Sequence, residues 1–220
     1  MGRYECVIFD LDGTLVDSIA DLGDAMNASL AEHGHPPRSY DECKAFVGDG
    51  ARRFVERAVP AAEADDALAE SILDGFRRHY TACWAAKTLP YEGVPELLDA
   101  LVARGYRLAV LSNKIELFTA QMVAHTLGRW RFACVRGERP GVPRKPDPAG
   151  ALAIVAELGI AAERCVYLGD TSTDMKTAVG AGMLPVGVLW GFREAAELTA
   201  SGAVHLLDHP RALLPILDGA

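Results

Sequence analysis

The sequence predicts an α/β fold in which a parallel sheet is built from βαβ units and a run of helices interrupts the chain after the first strand. Two observations predict it. A short apolar segment, Cys6 to Phe9, opens the chain, and from Leu89 onward short apolar segments alternate with helical patterns. Between about Val16 and Lys87 the apolar residues have only helical spacing. The helical segment is therefore expected to be an insertion into one α/β domain.

Helices of the insertion are predicted from capping and helix-breaking residues. The first is expected to begin at a capping box from Ser18 to Asp21 and to stop at Gly34. The second runs from about Ser39 to Gly48, and the third stops at Pro60. The fourth has one apolar face between Leu68 and Cys83, which is expected to form the core of a helix bundle.

The rest of the chain is predicted to alternate strands and helices in the order typical of a parallel sheet. The predicted strands are Arg107 to Leu111, Phe132 to Val135, Cys165 to Leu168, Pro185 to Leu189 and Val204 to Leu206. The predicted helices are Pro95 to Arg104, Leu117 to Leu127, Pro148 to Leu158, Thr173 to Ala181 and Arg193 to Ala200.

Composition narrows the class of protein. The chain has 220 residues, of which 50% are hydrophobic, so it can bury a substantial core. A net charge of −8 argues against a nucleic-acid partner, which would need a basic face. The five cysteines are scattered and odd in number, as expected of reduced thiols. With no apolar signal region at the start and no apolar run of membrane-spanning length, we expect a cytoplasmic protein without a membrane partner, either a monomer or a homodimer.

The segment Phe9-Asp10-Leu11-Asp12-Gly13-Thr14 carries the strongest chemical signal. It puts two carboxylates at the end of a buried strand, where Asp10 and Asp12 need a cation or a reacting proton to be tolerated. Gly13 lets the backbone turn, and Gly13 and Thr14 offer donors near a possible anion. The alternative is an ordinary turn whose aspartates bond local amides.

Three later segments are expected to converge on the same place. Ser112 and Asn113 follow a predicted strand, Lys145 lies in a stiff turn between prolines, and Asp170 and Asp174 follow another strand. Because ligands of open parallel sheets bind beyond the carboxyl ends of the strands, these side chains can meet in one crevice. Two carboxylates about 4 Å apart repel by roughly 4 kcal/mol at an effective dielectric constant of 20. A hard divalent cation, Mg²⁺, is the natural remedy.

Each of these residues also has a plainer interpretation. Ser112 can cap a helix, Lys145 can be a solvated loop charge, and Asp170 and Asp174 can favour a helix N-terminus. It is the ordered set that favours a reactive site.

With all four of its motifs present in order, the chain resembles a haloacid dehalogenase superfamily phosphatase, and within it the phosphoglycolate phosphatase subgroup. The segments Leu89 to Val94 and Val188 to Gly191, together with the helical insertion, carry the second resemblance. The resemblance implies a Rossmann-like parallel-sheet core formed by residues 1–15 and 88–220. It also implies an inserted all-helical cap domain formed by residues 16–87.

The same resemblance implies residue roles. Asp10 would attack phosphorus and form an aspartyl-phosphate, and Asp12 would protonate the leaving group and then deprotonate water. Ser112 would hydrogen-bond a phosphoryl oxygen, and Lys145 would offset charge on the nucleophile and the transferring group. Mg²⁺ would be held by Asp10, the backbone carbonyl of Asp12, Asp170 and Asp174, the last either directly or through another ligand.

The substrate implied is a small phosphorylated metabolite, with 2-phosphoglycolate the best single choice. Candidate substrate-binding residues are Gly13, Thr14 and Asn113, with Gly48 in a loop that resembles the substrate-facing cap loop of relatives. Arg52 follows that loop and would bind a carboxylate. The alternatives are a simple helix stop at Gly48 and a solvated Arg52.

Other functions remain open at this point. A sugar-phosphate, nucleotide or pyrophosphate hydrolase and a phosphosugar mutase would use the same residues. Asp12 disfavours a dehalogenase, and Lys44, the one obvious lysine for a phosphonatase, lacks supporting context. A phosphorelay receiver would be shorter and would have no use for Asp12. A catalytically inactive regulatory protein is a further alternative, against which the intact acidic set argues.

Overall fold

The computed structural model describes residues 3–60 and 65–219; residues 1, 2, 61–64 and 220, which fall within the predicted domain ranges, lie outside this part. Strands are β1 (Cys6–Phe9), β2 (Val16–Asp17), β3 (Leu89–Pro90), β4 (Arg107–Ile115), β5 (Cys134–Glu138), β6 (Cys165–Gly169), β7 (Leu184–Val188) and β8 (His205–Leu207). Helices are α1 (Ile19–Glu32), α2 (Tyr40–Phe46), α3 (Ala51–Ala58), α4 (Asp66–Cys83), α5 (Val94–Ala103), α6 (Glu116–Thr126), α7 (Ala149–Leu158), α8 (Ser172–Ala181), α9 (Ala195–Ala200) and α10 (Leu213–Asp218).

Six strands form one parallel sheet in the order β5-β4-β1-β6-β7-β8. The first strand lies near its centre, because Phe9 pairs with Val110 of β4 on one side and with Leu168 of β6 on the other. Whatever follows Phe9 therefore emerges at the carboxyl edge, between the ends of two neighbouring strands.

Helices cover both faces of this sheet, and the alternation of β1 residues sets the two layers. Val7 and Phe9 belong to a cluster with residues of α5, α6 and α10, whereas Cys6 and Ile8 belong to a cluster with residues of α7 and α8. All four β1 side chains are fully buried. This is the α/β core that the sequence predicts, and each predicted strand and helix of the core lies within a few residues of an observed one.

A separate hydrophobic cluster holds the inserted helices together. Residues of α1 to α4 form it, and aromatic rings run through it: Phe54 meets Phe76 edge-on at 5.6 Å, and Phe76 stacks on Tyr80 at 5.6 Å. Phe118 of α6 and Phe192 pack against this cluster from the side of the sheet. The insertion thus has its own core but leans on two aromatic residues of the α/β unit.

The expectation that residues 16–87 are entirely helical is wrong at the start of the segment. Val16 and Asp17 form β2, which pairs antiparallel with β3 at Pro90 and Leu89. A strand of two residues is too short to produce a hydrophobic period, so the pattern could not reveal it. The short terminal helix α10 was not predicted for the same reason. The division into residues 1–15 with 88–220 and residues 16–87 stays a prediction.

The predicted capping box at Ser18 and Asp21 is also wrong. Ser18 makes no side-chain cap; its hydroxyl donates instead to Oδ1 of Asp12 at 2.6 Å. The Asp21 carboxylate accepts from the N–H groups of Lys87 and Thr88 and from the Thr88 hydroxyl, at 2.7 to 3.0 Å. Asp21 of α1 therefore binds the backbone at Lys87 and Thr88, where the chain leaves the insertion.

No helix in residues 3–60 and 65–219 combines the length and the apolar character that crossing a membrane requires.

Asp21 and Asp24 offer a matched test of these hydrogen bonds. Asp21 is 1% exposed, so Asp21→Ala leaves buried N–H groups without acceptors and should lower the free energy of unfolding by about 3 kcal/mol. Asp24 lies on the same helix and bonds exposed partners, Tyr40 and the Lys87 side chain, so Asp24→Ala should cost less than about 1 kcal/mol. Urea unfolding of both variants measures the difference. Equal losses would contradict the role given to Asp21.

Candidate active site

Three buried carboxylates meet at the carboxyl edge of the sheet. Asp10 follows β1, Asp170 follows β6, and Asp174 lies in the first turn of α8. One oxygen from each lies within 4.8 Å of the others. Backbone pairing explains the meeting, because β1 and β6 are neighbours and the Asp10 N–H donates to the Leu168 carbonyl at 2.9 Å.

Close backbone approach makes room for this cluster. Gly13 has φ +86°, and a Cβ there would lie 2.3 Å from Oδ2 of Asp170. A Cβ on Gly191 would lie 2.3 Å from Cβ of Asp170 and 2.4 Å from the Gly13 carbonyl oxygen. Any side chain at either position would displace the carboxylate, so both positions require glycine.

One buried cation faces two of the acids. The Lys145 ammonium lies 2.8 Å from Oδ1 of Asp10 and 2.7 Å from Oδ1 of Asp174. The contact with Asp174 is a hydrogen bond, whereas Oδ1 of Asp10 lacks a hydrogen-bond partner among the described residues. That oxygen therefore has a charged contact with Lys145 but no well-directed hydrogen bond.

The electrostatics show how poorly the cluster is compensated. Burial, followed by repulsion from Asp174, raises the pKa of Asp10 to about 7 even though Lys145 opposes the rise. Burial and repulsion from Asp174 and Asp10 raise the pKa of Asp170 well above its usual value. Burial would lower the pKa of the Lys145 ammonium, but attraction from Asp10 and Asp174 raises it well above its ordinary value. One lysine does not neutralise three acids.

Asp174 has little capacity left for a further ligand. Its Oδ2 accepts from the Thr171 hydroxyl at 2.7 Å and from the Thr171 N–H at 3.0 Å, which completes a capping box at the start of α8. Its Oδ1 accepts from Lys145. Asp170 is less committed, since each oxygen has one donor, the Thr14 hydroxyl or the Phe192 N–H.

Asp12 lies apart from this cluster and has its own cation. The Lys114 ammonium donates to both of its oxygens, at 2.9 and 3.0 Å, and lies 4.7 Å from the centre of the Tyr80 ring. Burial would lower the pKa of Lys114, but Asp12 and Tyr80 raise it above the usual value. Asp10 and Asp12 are two residues apart and yet contact different lysines.

A cleft between the inserted helices and the sheet edge contains the predicted reactive residues on its wall. Asp10, Asp12 and Ser112 line it. The Ser112 oxygen accepts from the Lys114 N–H at 3.2 Å, which leaves its hydroxyl hydrogen to donate. The opposite wall is apolar and comes mainly from the insertion. It includes Leu22, Val47, Phe54, Phe76, Tyr80, Phe118 and Phe192.

Several residues predicted to bind substrate instead form hydrogen bonds with other groups of the protein. Asn113 bonds the Lys145 backbone through both amide atoms, at 2.9 and 3.1 Å, and donates to the Gly48 carbonyl at 3.0 Å. Thr14 gives its hydroxyl to Asp170, and the Gly13 N–H donates to Val16. Gly48 and Asn113 line the cleft, and the hydrogen bond between them joins the loop after α2 to β4.

Arg52 does not reach the cleft. Its guanidinium bonds Glu56 and Asp66 at 2.7 Å each and also bonds Glu70. The interpretation that Arg52 reads a substrate carboxylate therefore has no geometric support, whereas the alternative of a surface arginine fits. The insertion does contribute a cation to the cleft wall, Arg77 of α4.

Sequence reasoning missed Lys114, Arg77 and Gly191. Lys114 directly follows the predicted pair Ser112 and Asn113 and lies in the part of β4 where the register with β5 shifts, so its closeness in sequence to that pair was the one available signal. Arg77 is an exposed residue of a helix assigned to the bundle, so it had no local signal. Gly191 ends the segment Val188 to Gly191, which carries the resemblance to the subgroup but gives no role for the glycine.

A model of the family described as haloacid dehalogenase-like hydrolase matches residues 4–182. The chain belongs to this family. It is 35% identical over 217 residues to a phosphoglycolate phosphatase of Pseudomonas putida, covering 95% of this chain and 78% of that protein. It is 34% identical over 213 residues to a phosphoglycolate phosphatase of Agrobacterium fabrum, covering 96% and 91%.

Solved structures agree with this hydrolase fold. A protein of Lactobacillus delbrueckii subsp. bulgaricus has a TM-score of 0.93 at 30% identity, with 100% of both chains covered. A predicted phosphoglycolate phosphatase from Haemophilus somnus has a TM-score of 0.91 at 27% identity, with 98% and 99% covered.

The acid cluster of this hydrolase fits Mg²⁺, because one hard carboxylate oxygen from each of Asp10, Asp170 and Asp174 lies within 4.8 Å of the others and Lys145 contacts only two of the three acids. Without a cation, acids with raised pKa values stabilise the fold only while protonated, and this stability is lost as pH rises from about 4 to 7. Bound Mg²⁺ should therefore stabilise the protein more at pH 8 than at pH 5.

Thermal unfolding with and without Mg²⁺ measures this effect. At a Mg²⁺ concentration of about 100 times Kd and pH 8, the gain should be about 2.7 kcal/mol, and Asp170→Asn should remove most of it. A gain that is independent of pH, or that survives in Asp170→Asn, would contradict a metal site on these acids.

Proposed function

We propose that this hydrolase is a Mg²⁺-dependent phosphatase that converts 2-phosphoglycolate to glycolate and phosphate through an aspartyl-phosphate on Asp10. The observation that carries the reaction type is the pairing of Asp10 and Asp12 on one cleft wall, with different charge partners. The names of the Pseudomonas putida and Agrobacterium fabrum relatives support the substrate.

In the first step, an oxygen of Asp10 attacks phosphorus in line, the new O–P bond forms and the bond to the ester oxygen breaks. Asp12 gives the departing glycolate oxygen a proton. The Ser112 hydroxyl donates to a phosphoryl oxygen, and the buried Lys145 ammonium stabilises negative charge beside Asp10. In the second step, Asp12 takes a proton from water, which attacks phosphorus and releases Asp10.

Mg²⁺, when bound, would supply positive charge to the phosphoryl oxygens and to Asp10. Asp10, Asp170 and the backbone carbonyl of Asp12 would hold it. Asp174 would act one step removed, since its oxygens are already occupied by Lys145 and Thr171. It fixes the Lys145 ammonium next to the nucleophile.

A panel of phosphate esters tests the proposed substrate. With Mg²⁺, kcat/KM for 2-phosphoglycolate should exceed that for sugar phosphates, nucleotides and pyrophosphate by about tenfold or more. Asp10→Asn should lower kcat by roughly 10³-fold or more, and the exposed Asp99→Asn should change it little. A flat profile would argue for a general phosphatase, and full activity in Asp10→Asn would overturn the mechanism.

The covalent step can be trapped separately. Asp12→Asn removes the base needed to release Asp10, while acetyl phosphate has a leaving group that needs no acid. Acid-quenched Asp12→Asn incubated with acetyl phosphate should therefore gain the mass of one phosphoryl group, and the peptide carrying Asp10 should hold it. The double variant with Asp10→Asn is the control. A phosphoryl group retained by the control would place the nucleophile elsewhere.

A further inference from the structure

The Lys114 side chain is a cation at the floor of the cleft that the reaction above does not use. It is 7% exposed and projects from β4 beside Asp12. In residues 3–60 and 65–219, Lys114 and Arg77 are the cationic side chains on the cleft wall. Arg77 is 47% exposed and is held by Asp74 at 3.2 Å, so it belongs to the mouth.

We propose that Lys114 binds the carboxylate of the substrate and thereby selects an acidic leaving group, an inference that rests on the proposed function. The leaving oxygen must lie within hydrogen-bond reach of Asp12 to receive its proton. Lys114 Nζ lies 2.9 Å from one oxygen of Asp12. In glycolate the carboxylate is separated from that leaving oxygen by a single methylene group, so it falls within reach of the same ammonium.

The Lys114 ammonium has one donor left to bind a substrate carboxylate. An ammonium has three N–H donors, and Asp12 can occupy two of them. The face of the Tyr80 ring lies on one side of the ammonium and keeps it partly dehydrated. A third donor is thus available in surroundings of low polarity, where an ion pair with a carboxylate is stronger than in water.

Among the residues that the structure describes, the rest of the cleft wall offers a carboxylate no second buried cation; the buried hydroxyls of Tyr80 and Ser112 are neutral. Phe54, Phe76 and Phe118 carry no donor, and Asn113 is bound to backbone groups. Asp10 and Asp12 would repel a second anionic group on the substrate. Selection for an acidic ester therefore falls to Lys114, since Arg52 lies outside the cleft.

The test compares 2-phosphoglycolate with 2-hydroxyethyl phosphate, which has the same chain length and no carboxylate. In Lys114→Met, KM for 2-phosphoglycolate should rise by roughly 10- to 100-fold, the loss expected of a hydrogen bond to a charged group. KM for 2-hydroxyethyl phosphate should change by less than about threefold, since an uncharged hydroxyl gains little from the ammonium. Any fall in kcat that arises because Asp12 loses its partner should be equal for the two esters.

Three further variants complete the design. Lys114→Arg keeps a cation and should keep most of the preference for 2-phosphoglycolate. Arg77→Met tests the second cation of the cleft and should leave the ratio of the two KM values within about threefold of the wild-type ratio. Lys176→Met, at an exposed lysine of α8, is the matched control for the substitution itself. Melting temperatures establish that each variant is folded. If Lys114→Met does not fold, the comparison of the two esters in Lys114→Arg still tests the proposal.

The outcomes separate the two proposals. Equal increases in KM for both esters in Lys114→Met would show that Lys114 only positions Asp12, and would overturn the inference. A selective loss in Arg77→Met instead would assign the carboxylate to Arg77. A wild-type enzyme that does not prefer 2-phosphoglycolate over 2-hydroxyethyl phosphate would overturn the proposed substrate, and the role of Lys114 with it.

Discussion

Repulsion among three buried carboxylates is the constraint on which the rest of this structure depends. Asp10, Asp170 and Asp174 are brought together by strand pairing, not by mutual attraction, and Lys145 contacts two of them. Gly13 permits the approach by having no side chain. The hydrophobic burial of β1 and β6 holds the acids together despite their repulsion, so free energy gained in the core maintains a buried cluster of negative charge.

Asp10 and Asp12 are close in sequence but contact different charged partners. Asp10 lies among acids with Lys145, whereas Asp12 lies toward the insertion, with Lys114 and Ser18 as its partners. Two groups of the same type in different surroundings can carry different roles, as the proposed mechanism requires of Asp10 and Asp12. Because Ser18 directly precedes the first inserted helix, the surroundings of Asp12 depend on both parts of the chain.

The core of the fold could be predicted, because long hydrophobic periods carry that information along the chain. Ordered motifs predicted which side chains lie at one edge of the sheet. Asp10, Asp12 and Ser112 line one cleft and Lys145 contacts Asp10, while their catalytic roles stay a prediction. The roles of Asn113 and Arg52 could not be predicted, since each depends on which group from a distant segment is nearest. A side chain's type limits what it can bond, but only the packed structure decides what it does bond.

The narrow ribbon of β2 and β3 has a consequence for how such a protein can change. The chain leaves the α/β core at Val16 and Asp17 and returns to it at Leu89 and Pro90. These four residues form one antiparallel pair. Exchanging the polypeptide between them leaves the register of β1 against β4 and β6 untouched. Evolution can therefore change the helical wall of the cleft without disturbing the strand pairing that brings Asp10 and Asp170 together, although a new wall must again supply the neighbours of Asp12.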